Sequence, residues 1–352
     1  MASFTGTGYL GLQEDPGWLR LVQSNLERFG SNHPISRLND HRDFEILHRL
    51  ERHLAASTGS ESACVFSSGY LAGIAVSRYF AERACDDALA MVFPANHHPC
   101  LAPPAGWQQH TLDWDGIDGL KALGTHGSVV FGQTVDLFDG EIDRALHSRL
   151  MAAATWRVLD CSHTMALWPH REMNTAPART VFLGSLGKAG AFPAGFAAGP
   201  QAIIAAIQAR GEYCAAAPPS LAFAAAYLDH AERRAGLRAT LWRHLQVIDD
   251  ALACRRERPF PVYRLGPIRD GLNSALEIQG LHLSWLRYPN PNSPLHLRAV
   301  IHATHRDGEI HTLLKALGEH RLHPEASPHK PDHWIAHFPQ DAGSRFFQAR
   351  KP

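Results

Sequence analysis

At 352 residues the chain can bury a substantial core, enough for one large α/β domain with a smaller companion. Its 34 basic and 34 acidic residues cancel, which leaves no electrostatic footprint for nucleic acid or an anionic membrane and points to small-molecule chemistry. The six cysteines are dispersed without a Cys-x-x-Cys pair, the first residues carry no signal-like segment, and no window is apolar for a membrane-spanning length; the expectation is a cytoplasmic protein with reduced thiols.

Helix signals open early. Asp15 reads as a cap, Pro16 sits in the first turn, Trp18, Leu19, Val22, Leu26 and Phe29 share a face, and Gly30 ends the run. Phe44, Leu47, Leu50 and Leu54 mark a second amphipathic helix that stops near Gly59. Strands and helices then alternate. Residues 63–66 precede a Ser67-Ser68-Gly69 turn and a helix of small residues; 88–93, 128–131, 156–159, 181–183 and 195–198 are further strand candidates. Such alternation predicts a largely parallel sheet with helices on both faces.

From Pro219 a long Ala-rich helical stretch runs toward Cys254, after which 260–263, 276–286 and 295–301 read as strands of a different layer. Ile310, Leu313, Leu314 and Leu317 predict a helix packed on them, and the tail from His320 reads as partly loop. The expected division is a large domain over 36–235, with 1–35 and 236–352 forming the smaller unit. Histidine is abundant at 23 residues, and His333 and His337 stand at helix-like spacing. No Cys/His/Glu cluster at ligand spacing accompanies them, so no metal site is expected.

Two segments carry chemistry. Trp156 to Leu159 delivers Asp160, Cys161, Ser162 and His163 to a strand end, and Thr180 to Leu183 delivers Gly184, Ser185, Leu186, Gly187 and Lys188 to what should be the same edge. Ligands bind outside the carboxyl ends of parallel strands. An amine nucleophile facing an acid is the layout of a pyridoxal phosphate site, where lysine holds the cofactor as a Schiff base and aspartate pairs with the ring nitrogen. Lys188 is not a nucleotide P-loop lysine, because Phe182 and Ala189 stand where that motif needs Gly and Ser or Thr. Ser68, Gly69 and Tyr70 begin a helix, where free N–H groups and the helix dipole suit a phosphate; a plain N-cap fits the same residues.

The sequence resembles the α-oxoamine synthase group of fold-type I pyridoxal phosphate enzymes over nearly its whole length. Gly8-Tyr9-Leu10-Gly11-Leu12 is similar to that family's Asn-Tyr-Leu-Gly-Leu, Gly30 through Ser36-Arg37 to its glycine-rich stretch ending in Ser-Arg, and Phe66-Ser67-Ser68-Gly69-Tyr70 to its pattern before the phosphate-facing helix. Asn96-His97 falls on the Asn-His of the ring-stacking segment, Asp139-Gly140 on an Asp-Gly turn, Asp160-Cys161-Ser162-His163 on Asp-Glu-Ala-His, and Arg298 with His305 on Arg-Leu-Arg…Ala-His.

The resemblance implies a fold-type I architecture, with a large domain around a mostly parallel central sheet, a smaller C-terminal α/β domain, and a homodimer with its sites at the interface. It also implies roles: Lys188 as cofactor lysine and base, Asp160 on the ring nitrogen, His163 at the ring's phenolic oxygen, His97 stacked on the ring, and Ser68, Gly69, Tyr70 and Ser185 around the phosphate. Arg298 would clamp the substrate carboxylate, and Ser36 would be a further substrate-binding residue. His98 competes with His97 on equal polarity, and Arg298 could equally be a surface strand arginine.

The implied activity is transfer chemistry on an amino acid with an acyl thioester as partner. An aminotransferase needs the same lysine, aspartate and arginine, and a non-catalytic binding protein is the third reading. Departures cluster away from the cofactor. Gly8 replaces an asparagine, Ser31 to Ile35 is bulkier than the family's small residues, Gln133 stands near the Asp-Gly turn, Leu137 replaces a serine, and Cys214 to Ala217 replaces a hydroxyl-bearing turn before Pro218-Pro219. The family's N-terminal helical arm is expected to be absent.

Overall fold

The computed structural model describes residues 1–31, 37, 44–94, 97–101, 103, 105–113, 127–136, 152–168, 170–254, 256, 258–288, 291–325 and 333–338. Thirteen strands form two sheets. They are β1 (Ala2–Phe4), β2 (Ser62–Phe66), β3 (Ala90–Pro94), β4 (Gln108–Asp113), β5 (Ser128–Gln133), β6 (Trp156–Asp160), β7 (Thr180–Ser185), β8 (Gly195–Gly199), β9 (Val262–Gly266), β10 (Leu281–Arg287), β11 (Leu295–Val300), β12 (His323–Pro324) and β13 (His333–Phe338).

The larger sheet has eight strands in the order β2-β8-β7-β6-β5-β3-β13-β4, and its centre, β3, β5, β6 and β7, is parallel. β8 runs antiparallel between β2 and β7. Both faces are covered, as near-continuous apolar strands require. Cys64 and Phe66 pack with Met91, Phe93, Phe131, Val158 and Val181 in one core, while Val65, Val92, Val130, Leu159 and Phe182 turn to the other. This alternation is the period-two geometry of a strand read on both sides.

Among the described residues, three α-helices precede β3: α1 (Pro16–Phe29), α2 (Glu45–Thr58) and α3 (Gly69–Asp86). Each has the expected punctuation. Asp15 Oδ1 accepts the N–H of Trp18 at 2.9 Å, Gly59 closes α2 in the left-handed region, and Ser68 Oγ accepts the N–H of Leu71 at 3.1 Å.

The smaller sheet has the order β1-β10-β11-β9-β12, so the first strand of the chain joins a sheet built otherwise from its last third. The helix Asp307–Glu319 supplies Ile310, Leu313 and Leu317 to the core, as expected.

Three expectations are corrected. Residues 276–286 are not one strand: a helix, Leu272–Ile278, buries Leu272 and Leu276 four apart, Gly280 turns at positive φ, and β10 follows. The Ala-rich stretch is two helices, Leu221–Asp229 and Ala231–Ala251, broken at His230. His333 and His337 lie on a strand, not a helix, and β13 inserts into the larger sheet between β3 and β4, so the span 236–352 does not all belong with the smaller sheet.

Candidate active site

The parallel registers align three strand ends. Gln133 pairs with Asp160 across β5 and β6, and Asp160 with Leu183 across β6 and β7. Beyond β6 the chain turns sharply, with Asp160 Oδ1 accepting the N–H of Ser162 at 2.8 Å while the Asp160 carbonyl accepts the N–H and hydroxyl of Thr134 at 3.0 and 3.2 Å. Asp160 is thereby held from two sides.

Beyond β7 the lysine sits on a closed loop. Leu186 N–H donates to Ala194 O at 2.8 Å, Phe192 N–H to Leu186 O at 3.1 Å, and Ala191 N–H to Lys188 O at 3.1 Å. The two loops share a bond, since Ser185 N–H donates to Ser162 Oγ at 3.0 Å. Asp160, His163 and Lys188 then line one cleft with His98, Gln133, Val135 and Tyr288.

A second feature adjoins it. A Cβ on Gly69 would stand 2.7 Å from Ser185 Cβ, and one on Gly195 would stand 2.3 Å from Ser68 O, so these glycines let the start of α3 press against the β7 end. The first intrahelical bond there is Ala72 N–H to Ser68 O, which leaves the N–H groups of Gly69 and Tyr70 ahead of it. Together with the helix dipole they form an anion cradle. The Ser185 hydroxyl accepts Gly187 N–H at 3.2 Å at the same place. Ser68 itself serves as the cap, and its hydroxyl is committed to Leu71.

Burial sets the protonation in the cleft. Lys188 is pushed below the usual lysine value by desolvation, with Asp160 partly opposing. His163 falls well below the ordinary histidine value through burial, with the charges of Lys188, Arg298 and His98 adding to it. His98 is lowered by burial. Tyr288 is raised to about 12 by burial and the nearby Asp160 and Asp136. Burial thus disfavours charge on both imidazoles and on the Lys188 amine, with Asp160 opposing it at the lysine.

These groups fit pyridoxal phosphate. The acid and the amine line the same cleft and act on one another electrostatically, and among the described residues no ion pair closes between them. The anion cradle lies beside the lysine loop, where a phosphate would sit.

Most expected residues converge here. Asp160, His163 and Lys188 line the cleft, and Ser68, Gly69, Tyr70 and Ser185 gather at the cradle. Arg298, on β11 opposite Ser284 of β10, reaches the site electrostatically, acting on Tyr9, Tyr288 and His163. Ser36, Asn96, Leu137 and Asp139-Gly140 lie outside the described residues.

His97 is not among the residues that line the cleft. Its ring packs 4.9 Å from Phe93, its Nδ1 lies 2.8 Å from Pro94 O, and it acts on His337 of β13. His98 lines the cleft instead, with Nδ1 accepting the N–H of Cys100 at 3.2 Å and 3.0 Å from its Sγ, and with the Tyr70 ring edge-on at 6.4 Å. The reason is the turn after β3, which sends adjacent side chains in different directions. Three cleft residues, Gln133, Val135 and Tyr288, were without an assigned role. Gln133 was legible as the last residue of a strand beside the Asp160 strand; Tyr288 carries no local signal, because the smaller sheet brings it in.

No family model matches the chain. It is 28% identical over 355 residues to 8-amino-7-oxononanoate synthase of Chromohalobacter salexigens, covering 89% of this chain and 88% of that protein. In fold it is similar to serine palmitoyltransferase of Sphingomonas wittichii, at TM-score 0.71 and 19% identity over 90% of this chain and 86% of the other. It is also similar to serine palmitoyltransferase from S. paucimobilis with bound PLP–myriocin aldimine, at TM-score 0.69 and 18% identity over 90% and 86%.

The two sheets, the lysine loop and the acid on the neighbouring strand define a fold-type I pyridoxal phosphate architecture. Within it, the chain is distantly similar to enzymes of the α-oxoamine synthase group, one of which holds a PLP aldimine in its structure.

Proposed function

We propose that this protein is a pyridoxal phosphate-dependent transferase that condenses an amino acid with an acyl thioester. The observation that carries the reading is the convergence of Lys188 and Asp160 on one cleft beside the anion cradle at the start of α3. When bound, the cofactor supplies an electron sink conjugated to the α-carbon of the amino acid.

The residues divide the work. Asp160 would hold a proton on the ring nitrogen through an opposite charge. His98 would flank the ring, and His163 would serve its phenolic oxygen. The N–H groups of Gly69 and Tyr70 and the Ser185 hydroxyl would hold the phosphate. Arg298 would clamp the substrate carboxylate, since a guanidinium offers two parallel donors. Lys188, which burial pushes below the usual lysine value, would take the α-proton at Nζ.

In the condensation a carbon–carbon bond forms between the α-carbon and the acyl carbonyl, the carbon–sulfur bond breaks, and the thiol leaves; carbon dioxide is lost where the reaction is decarboxylative. The residues at 31–35 are bulkier in sequence than the family's small ones, and on that ground the acyl donor is taken to be short or to approach by another route. The protein acts as a homodimer in the cytoplasm, as the family pattern implies.

The deciding experiment mixes cofactor-loaded protein with an amino-acid panel, with and without acyl thioesters of increasing length, and identifies products by mass. Thioester-dependent release of thiol with a new ketone-bearing amine is expected. Oxo acid formed without a thioester would make the enzyme an aminotransferase. Neither product, with no visible absorbance of a lysine-bound cofactor, would make the protein a binding module.

A further inference from the structure

Tyr9 stands far from the site in sequence and inside it in space. Its hydroxyl lies 2.7 Å from Nδ1 of His163, and only 1% of the residue is exposed. It is fixed from the other side as well: its carbonyl accepts the N–H of Ala303 at 2.9 Å, and its ring meets Phe260 edge-on at 5.8 Å.

We propose that Tyr9 is a positioning residue that fixes the tautomer of His163, donating its O–H to Nδ1 so that the imidazole presents an N–H at Nε2 to the cleft. The inference rests on the pyridoxal phosphate reading for its consequence, although not for its geometry.

The direction of the bond follows from satisfaction. A neutral imidazole has one donor and one acceptor nitrogen. Were Nδ1 the donor, the buried phenolic hydrogen of Tyr9 would need another acceptor, and among the described residues His163 is the partner of that hydroxyl. Burial pushes the Tyr9 phenol up, against a smaller opposing effect of Arg298, so the hydroxyl keeps its proton to donate. The charged and titratable groups around His163 include Lys188 from the β7 loop, Asp160 at the end of β6, Arg298 from β11, His98, Tyr288 after β10 and Tyr9 itself. Burial first, and then Lys188, Arg298 and His98, disfavour a charge on the imidazole, so the tautomer, rather than the charge, is what Tyr9 controls.

An N–H at Nε2 suits a phenolic oxygen that carries negative charge when the cofactor is bound. Without that donor the oxygen holds its shared proton more tightly. Tyr9→Phe should therefore raise the pH at which the visible band of the lysine-bound cofactor changes by about half to one unit, the scale of one buried hydrogen bond.

Two measurements test this. In cofactor-free protein labelled with ¹⁵N-histidine, with the His163 signal assigned by its loss in His163→Gln, the wild type should show Nδ1 unprotonated and Nε2 protonated. Tyr9→Phe should move that signal toward a mixture while its thermal unfolding stays cooperative. In cofactor-loaded protein the band should titrate at higher pH in Tyr9→Phe. An unchanged His163 signal in Tyr9→Phe, or a wild type already protonated at Nδ1, would make Tyr9 a packing residue and overturn the proposal. A changed tautomer in a wild type that never forms the lysine-bound band would leave the positioning role standing and remove the pyridoxal phosphate reading instead.

Discussion

The hydroxyl of Ser162 accepts the backbone N–H of Ser185 at 3.0 Å, and this bond ties the loop after Asp160 to the loop that carries Lys188. The two chemistry-bearing strand ends are thus one unit rather than two neighbours. Ser162→Ala should leave that N–H without its partner and cost about 1 kcal/mol of stability. Cofactor affinity should fall roughly five- to tenfold, because 1.4 kcal/mol is one decade. Absorbance titration of the two proteins measures the ratio, and equal affinity would separate the loops energetically.

Lys188→Ala should abolish the visible band of the lysine-bound cofactor while the protein stays folded, since it removes an amine that the site holds below its usual protonation. The chain has five lysines, so borohydride trapping followed by peptide mapping is unambiguous. Label on any lysine other than Lys188 would overturn the assignment.

Asp160→Asn keeps an oxygen for the Ser162 N–H and should still bind cofactor. It loses the charge that holds the ring proton. Breaking a buried charge pair costs about 4 kcal/mol, which corresponds to roughly three decades in turnover. Single-turnover rates with a reactive amino acid provide the check, and near-normal rates would remove Asp160 from this role.

The two adjacent histidines should separate cleanly. His98→Ala, which opens the cleft wall, should weaken cofactor binding about five- to tenfold, the scale of a lost ring contact. His97→Ala should lower stability by about 1 kcal/mol through its lost contacts with Phe93 and Pro94, with cofactor affinity unchanged. Parallel titrations and urea melts distinguish the two, and the opposite pattern would restore His97 to the ring.

Acid should loosen the fold through His170. It is fully buried, bonded at Nε2 to Thr164 Oγ1 at 2.8 Å, and burial lowers it from 6.5 to about 4. Between those values the folded protein binds fewer protons than the unfolded chain, so stability is full above pH 6.5 and falls as the pH drops toward 4. The loss from this residue is roughly 3 kcal/mol. His302 and His337 are lowered to about 4 as well and act with the same sign. Urea midpoints at neutral and acid pH should differ less in His170→Gln than in the wild type.

Much of the fold and part of the site were legible in the sequence because they depend on neighbours along the chain. Short, near-continuous apolar runs marked β2, β3 and β5 to β8, and local capping chemistry marked Asp15 and Ser68. Asp160 and Lys188 could be placed on one edge because parallel strands share their carboxyl ends. The choice between His97 and His98 could not be made that way, since one peptide unit separates them and only the turn after β3 decides which faces the cleft. Likewise 276–286 carried enough apolar residues for a strand, and only the burial of Leu272 and Leu276 on one helix face decided otherwise.

What only the tertiary structure decided has a common cause. Tyr9 meets His163 across 154 positions of sequence, Arg298 and Tyr288 arrive from the smaller sheet, and β13 returns from the end of the chain to lie between β3 and β4. None of these contacts leaves a periodic or capping signal, because each depends on two sheets meeting and on which surfaces their cores leave to face one another. The sequence by itself determined the strand ends and the residues they carry; the packing of the two sheets determined which side chains complete the cleft around them.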